Sequence, residues 1–256
     1  MSNFLSRFAR AVSYITCIPL MQPGTNVDEE SLEGLAKYLP AVGLLIGLII
    51  ATLSGALHCI HANRLLAAAL VVSAWLWLTG GLHMDGFMDT ADGVYSHRSR
   101  ERMLEIMQDS RVGNFAVLAA ITLLALKMFA LAALPNTQAC AALLIVPGWA
   151  RACEVYAIGR FQYARTFGKG KVWHDSIKYP FDLVASSIPV ILLTLLAASF
   201  NARAALIAAA ATIIGGVLVA HWLNEKLQGH TGDTYGAVVE AAEAAGIILL
   251  GLSFQL

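Results

Sequence analysis

The chain has 256 residues, of which 58% are hydrophobic and only 13% charged, where an ordinary soluble domain carries roughly a quarter charged. Such a balance excludes a free-standing soluble protein and calls for lipid around the chain. Seventeen basic and seventeen acidic residues cancel, so no nucleic-acid partner is expected from bulk charge and any charge that matters is local.

From Phe4 to Leu20, Arg7, Arg10 and Ser13 interrupt what would be the apolar run of a signal peptide. The pattern instead predicts an amphipathic helix lying at the membrane interface, with Phe4, Leu5, Phe8, Val12 and Ile15 toward lipid. Windows of about twenty mostly apolar residues, the length a spanning helix needs, follow at 39–57, 65–82, 113–134, 139–158, 181–200, 204–223 and 234–254. The fold class is therefore all-α: a polytopic bundle of about seven transmembrane helices plus one interfacial helix, as one integral membrane domain. Two windows are broken by charge, one by Arg151 and Glu154, the other by Glu240 and Glu243. Cys17, Cys59, Cys140 and Cys153 lie far apart without a C-x-x-C pair, which fits four buried, inert thiols better than a disulfide framework.

The connections divide sharply by charge. Arg7, Arg10, Lys37, Arg98, Arg100, Arg102, Arg111, Arg160, Arg165, Lys169, Lys171, Lys178 and Lys226 fall on one side, and only Arg64 and Arg203 on the other. Because cytoplasmic loops are enriched in Lys and Arg, the N-terminus and the long connections are expected in the cytoplasm.

At the inner end of the second window stands Gly80-Gly81-Leu82-His83-Met84-Asp85-Gly86-Phe87-Met88-Asp89-Thr90-Ala91-Asp92-Gly93. On a helix, Asp85, Asp89 and Asp92 share one face within about two turns. Three clustered carboxylates repel unless a cation lies among them, and hard oxygen ligands suit Mg2+, which recruits substrate phosphate to complete its shell. The bland reading, a solvated helix end, is weakened by the basic bias of the same membrane face.

Beyond the motif lie Arg98, Arg100 and Arg102, then Asp109-Ser110-Arg111-Val112-Gly113. Arginine binds phosphate through two parallel hydrogen bonds, so Arg98 and Arg111 are candidate substrate ligands. For Arg98, simple obedience to the charge bias is an equal reading, whereas Arg111 abuts the third span. The segment around Arg165 and Lys169 lacks a P-loop pattern and suits contact with phosphate or anionic lipid. The last window opens with Thr231-Gly232-Asp233, and Glu240 and Glu243 follow near the face of Asp233. Intramembrane carboxylates are functional candidates by default, so Asp233 is a catalytic candidate and Glu240 a substrate-binding one. The structural alternative is that Glu240 or Glu243 pairs with Lys127 or Arg151.

With these motifs, Ile18-Pro19-Leu20 and Tyr38-Leu39-Pro40 followed by Gly43 and Gly47, the chain resembles the adenosylcobinamide-GDP ribazoletransferase, or cobalamin synthase, family over nearly its whole length. The resemblance implies Mg2+-dependent joining of adenosylcobinamide-GDP to alpha-ribazole or its 5'-phosphate, with release of GMP, at the bacterial inner membrane. It also implies Asp85, Asp89, Asp92 and Asp233 as catalytic residues, the first three holding metal. Whether the protein forms a homo-oligomer is left open.

Two rival readings stand beside it. A CDP-alcohol phosphotransferase needs Asp-Gly-x-x-Ala-Arg, and Asp89-Thr90 occupies the Ala-Arg place. A divalent-cation transporter would place its carboxylates mid-span, whereas the Asp triad lies at a span end.

Overall fold

A computed structural model of the protein describes residues 4–20 and 32–253. In chain order these form α1 (Phe4–Ile15), a 3-10 turn (Ala36–Tyr38) leading into α2 (Leu39–Cys59), α3 (Arg64–Leu78), α4 (Leu82–Tyr95), α5 (Arg100–Ile106), α6 (Asn114–Ala133), α7 (Asn136–Arg160), α8 (Lys169–Ser176), α9 (Phe181–Leu227) and α10 (Gly232–Ser253). Among the described residues there is no strand, only one isolated bridge. The all-α polytopic bundle is borne out.

Five helices are long and apolar enough to cross a membrane, six if α3 and α4 form one broken span. One of the five is the 47-residue α9, which has non-helical backbone at Asn201 (φ −151°, ψ 88°). There the Asn201 side chain accepts a hydrogen bond from the Ala204 N–H at 3.0 Å, as an N-cap does. Unbroken, α9 would reach about 70 Å at 1.5 Å per residue, far beyond the ~30 Å hydrocarbon core. Splitting it into two arms brings the count to the seven that the apolar windows give.

Three local expectations change or sharpen. Val12 and Ile15 of α1 are buried against the protein, and only the first turn, Phe4 and Leu5, stays well exposed, so α1 is packed down rather than merely floating. The long connection after Leu82 holds two helices, α4, which carries the three aspartates on a helix as their spacing predicts, and α5. Of the cysteines, all free, only Cys153 is buried, while Cys17 and Cys59 are exposed.

The two charge-broken windows form the middle of the bundle, since α7 and α10 are the most buried of the apolar helices. Small residues let the helices approach closely: Gly43 and Gly47 of α2 face the Pro147 and Leu143 carbonyls of α7, and Gly216 of α9 faces Cys153. Large apolar side chains such as Leu118, Ile121, Leu195 and Phe200 point outward, the arrangement lipid requires.

Four of the interior charges neutralise one another. Lys127 Nζ lies 2.5 Å from Glu240 Oε2 and 2.8 Å from Glu243 Oε2, and Arg151 Nη1 pairs with Glu243 Oε1. Glu240 therefore belongs to a buried ion cluster tying α6, α7 and α10 together, not to a substrate surface. The structural alternative for these carboxylates is the one realised.

Candidate active site

The Asp-rich motif is positioned by a sharp turn. α3 ends at Leu78, Gly80 (φ 59°) and Gly81 (φ 69°) adopt left-handed backbone, and α4 leaves at 90° to α3. Side chains resist that conformation, and glycine does not. α4 then crosses α10 at contact distance: a Cβ on Gly86 would lie 2.6 Å from the Asp233 carbonyl oxygen, and one on Gly236 would lie 2.8 Å from that of His83. Glycine at both crossing points is what brings the first turn of α4 against the first turn of α10.

Asp233 is fixed from two sides. Thr231 Oγ1 accepts from the Thr234 N–H and donates to Asp233 Oδ2 at 3.2 Å, and Arg165 Nη1 lies 2.9 Å from the same carboxylate oxygen. The connections carrying Arg165 and Thr231 pair through backbone: His230 N–H donates to Gln162 O at 2.8 Å and Ala164 N–H to His230 O at 2.7 Å. His230 itself is buried, with Nε2 3.1 Å from Ala220 O. Burial pulls its imidazole down to about 4, so at neutral pH it is an uncharged structural group. Arg100 supports the same strand-like pairing by donating to Leu227 O and Ala164 O.

These elements surround a cleft of about 260 Å³ lined by Asp85, Asp233, Arg165 and Lys169 together with His83, Glu154, Tyr14, Tyr163, Trp173 and Tyr235. α1 contributes Tyr14, whose ring meets Trp173 edge-on at 5.5 Å, and Lys169 Nζ is 5.9 Å from the Tyr14 ring centre. Asp89 lies within electrostatic reach of Asp85, Asp233, Asp92 and Arg165.

Of the nine residues singled out in the sequence, Asp85, Asp233, Arg165 and Lys169 line one cleft, and Asp89 faces the same charges. Asp92 does something else as well. Its two oxygens accept the backbone N–H groups of Gly113 (2.6 Å) and Ala116 (2.8 Å), so it caps the N-terminus of α6, where a carboxylate also complements the helix dipole. Arg98 is exposed on the turn between α4 and α5. Arg111 is not pressed against the third span: its side chain is 87% exposed and forks onto Asp109, whose carboxyl that hydrogen bonding lowers to about 2. Glu240 lies in the buried ion cluster. Tyr14, Glu154 and Trp173 were not marked as site residues, because they come from segments far apart in the chain that no spacing links; His83 and Tyr235 each stand two residues from a marked aspartate, but nothing in the sequence turns them toward the cleft.

The donor set fits a hard cation in type, since Asp85, Asp89 and Asp233 offer only carboxylate oxygen. Among the described residues no three His, Cys, Asp or Glu side chains are close enough to hold an ion by themselves. A metal bound here would take the remainder of its shell from water and ligand, as Mg2+ commonly does.

Fold and site together define a polytopic helical membrane protein with an acid- and arginine-lined cleft at the end where its basic connections meet. The family model described as cobalamin-5-phosphate synthase matches residues 7–251. An adenosylcobinamide-GDP ribazoletransferase of Thermosynechococcus vestitus is 36% identical over 244 residues, 95% of each chain. Proteins of the same name from Roseiflexus sp. and Brevibacillus brevis are each 37% identical, covering 95% and 96% of this chain and 88% and 98% of their own. The chain belongs to the cobalamin-5-phosphate synthase family and is a transferase. No solved structure matches it.

Proposed function

We propose that the protein transfers the adenosylcobinamide phosphate group from adenosylcobinamide-GDP to alpha-ribazole or its 5'-phosphate, releasing GMP, in the bacterial inner membrane with the cleft facing the cytoplasm. The observation that carries this reading is the meeting of Asp85 and Asp233 with Arg165 and Lys169 around one cleft, with Asp89 in electrostatic reach of them, in a chain whose relatives bear that activity in their name.

Asp85 and Asp89 would hold Mg2+, while Asp92 fixes the start of α6 beside them. The ion, when bound, supplies charge neutralisation at the diphosphate. Arg165 and Lys169 hold phosphate oxygens, Arg165 by its planar fork and Lys169 as a mobile point charge. Asp233, kept in place by Thr231 and Arg165, receives the proton of the attacking hydroxyl. Nothing in the site requires a covalent protein nucleophile, because alignment and electrostatics carry phosphoryl transfer.

The test is a transfer assay on purified protein in nanodiscs, following GMP release and corrinoid product. Asp85→Asn and Asp89→Asn are expected to lower turnover by about a hundredfold or more, the scale of losing a positioned electrostatic group, and chelation of divalent ions to abolish it. Near-normal turnover in both variants would remove the physical basis of the reading.

A further inference from the structure

Five buried side-chain polar atoms without a hydrogen-bond partner among the described residues belong to residues lining this same cleft: His83 Nε2, Glu154 Oε2, Arg165 Nε, Trp173 Nε1 and Tyr235 Oη. Unsatisfied buried polar atoms are rare in native proteins and each calls for a ligand, a water or a function.

Glu154 is the most telling. It is 1% exposed, its Oε2 has no partner, and the nearest basic side chain to Oε1 is His83, with Nε2 at 3.6 Å, too long for a hydrogen bond. His83 Nδ1 in turn sits 3.3 Å from Arg151 Nη2, and a guanidinium only donates, so Nδ1 is the acceptor. The connected interior cluster holds two cations, Lys127 and Arg151, against three carboxylates, Glu154, Glu240 and Glu243. One buried carboxylate is left without a neutralising partner. Around it stand aromatic rings: Tyr14 against Trp173, and Tyr163 at 6.4 Å from Tyr235.

We infer that the inner end of the cleft is a purine-reading pocket, in which Glu154 accepts the adjacent N1–H and N2–H donors of guanine while Tyr14, Tyr163, Trp173 and Tyr235 enclose the ring. A carboxylate and two neighbouring N–H groups make two parallel hydrogen bonds, and an otherwise unpaired buried acceptor rejects a base that lacks those donors. Adenine presents an acceptor at N1, opposed to the carboxylate. A benzimidazole joined to ribose through nitrogen has no ring N–H at all, so this end of the cleft suits the leaving nucleotide rather than the acceptor. Trp173 Nε1 and Tyr235 Oη, also without partners, are further donors in the cleft, and the guanine carbonyl next to N1 is the complementary acceptor. The assignment rests on the reading that the donor is a guanosine diphosphate derivative, and it names the residue that selects guanine.

The test compares binding of GMP, IMP and AMP, with pyrophosphate as a control, to the full-length protein in nanodiscs by calorimetry. The wild type is expected to bind GMP about tenfold or more tighter than IMP, which lacks the 2-amino group, or AMP, since a hydrogen bond to a charged group carries that much. Glu154→Gln should bring GMP close to IMP while pyrophosphate binding persists, which also reports that the variant is folded. Should Glu154→Gln not fold, Tyr163→Leu, at the half-exposed wall, is expected to weaken all three nucleotides and spare pyrophosphate. Equal binding of the three by wild type, an unchanged GMP-to-IMP ratio in Glu154→Gln, or undiminished GMP binding by Tyr163→Leu would overturn the inference. Failure of wild type to release GMP from adenosylcobinamide-GDP would instead sink the proposed reaction, a result the binding series does not depend on.

Discussion

Asp85 and Asp92 stand on the same face of α4 yet have different surroundings, and that difference is measurable. Asp85 is exposed at the cleft, whereas Asp92 accepts two N–H groups at the start of α6. Asp92→Asn is therefore expected to lower thermal stability by about 1 kcal/mol, as loss of a charged cap does, with a smaller loss of turnover than Asp85→Asn. Paired denaturation and rate measurements on the two variants check this, and equal rate losses with unchanged stability would contradict it. Gly86→Ala tests the helix crossing: the added methyl meets the Asp233 backbone, and overpacking of this kind costs about 1–3 kcal/mol. Since Asp233 shifts with it, turnover in the folded fraction should fall too. Spacing alone revealed the three aspartates as one helical face. It did not reveal that α6 would present its free N–H groups to one of them, because that contact joins residues more than twenty positions apart.

At the scale of the helices, hydropathy located the spans because an apolar run long enough to cross lipid has few other fates. It was less informative at interruptions. Asn201 read as a short connection and proved to be a capped break within α9; Gly80-Gly81 read as the end of a span and proved to be a right-angled bend. Arg151, Glu240 and Glu243 helped make two windows look weak for the reason that makes them central: other helices supply their partners. Lys127→Met leaves Glu240 and Glu243 short of a cation and should destabilise the protein by about 3–5 kcal/mol, the usual penalty for stranding a buried charge. Adding Glu240→Gln to it should recover part of that loss in the same detergent-melting assay, and no recovery would argue against the pairing.

For the whole molecule, the basic-residue count predicts sidedness, and two exposed thiols offer a direct reading of it. Cys17 follows α1, on the side of the cleft, and Cys59 ends α2 at the opposite end of that helix. In intact cells a membrane-impermeant maleimide should label Cys59 but not Cys17, and a Cys59→Ser variant should lose the signal; labelling of Cys17 alone would invert the proposed orientation. That Tyr14 of α1, Glu154 of α7 and Trp173 of α8 join Asp85 and Asp233 in one cleft was beyond sequence reasoning, because only the assembled bundle makes them neighbours. The short α3 carries a last consequence. Its fifteen residues extend about 22 Å, less than the ~30 Å of an average acyl interior, and the bend at its end fixes where α4 begins. Lipids abutting a helix this short are expected to shorten or tilt to meet it. Host-lipid chain length is therefore expected to alter turnover, with shorter acyl chains favouring the assembled cleft, as rates in nanodiscs of graded chain length would show.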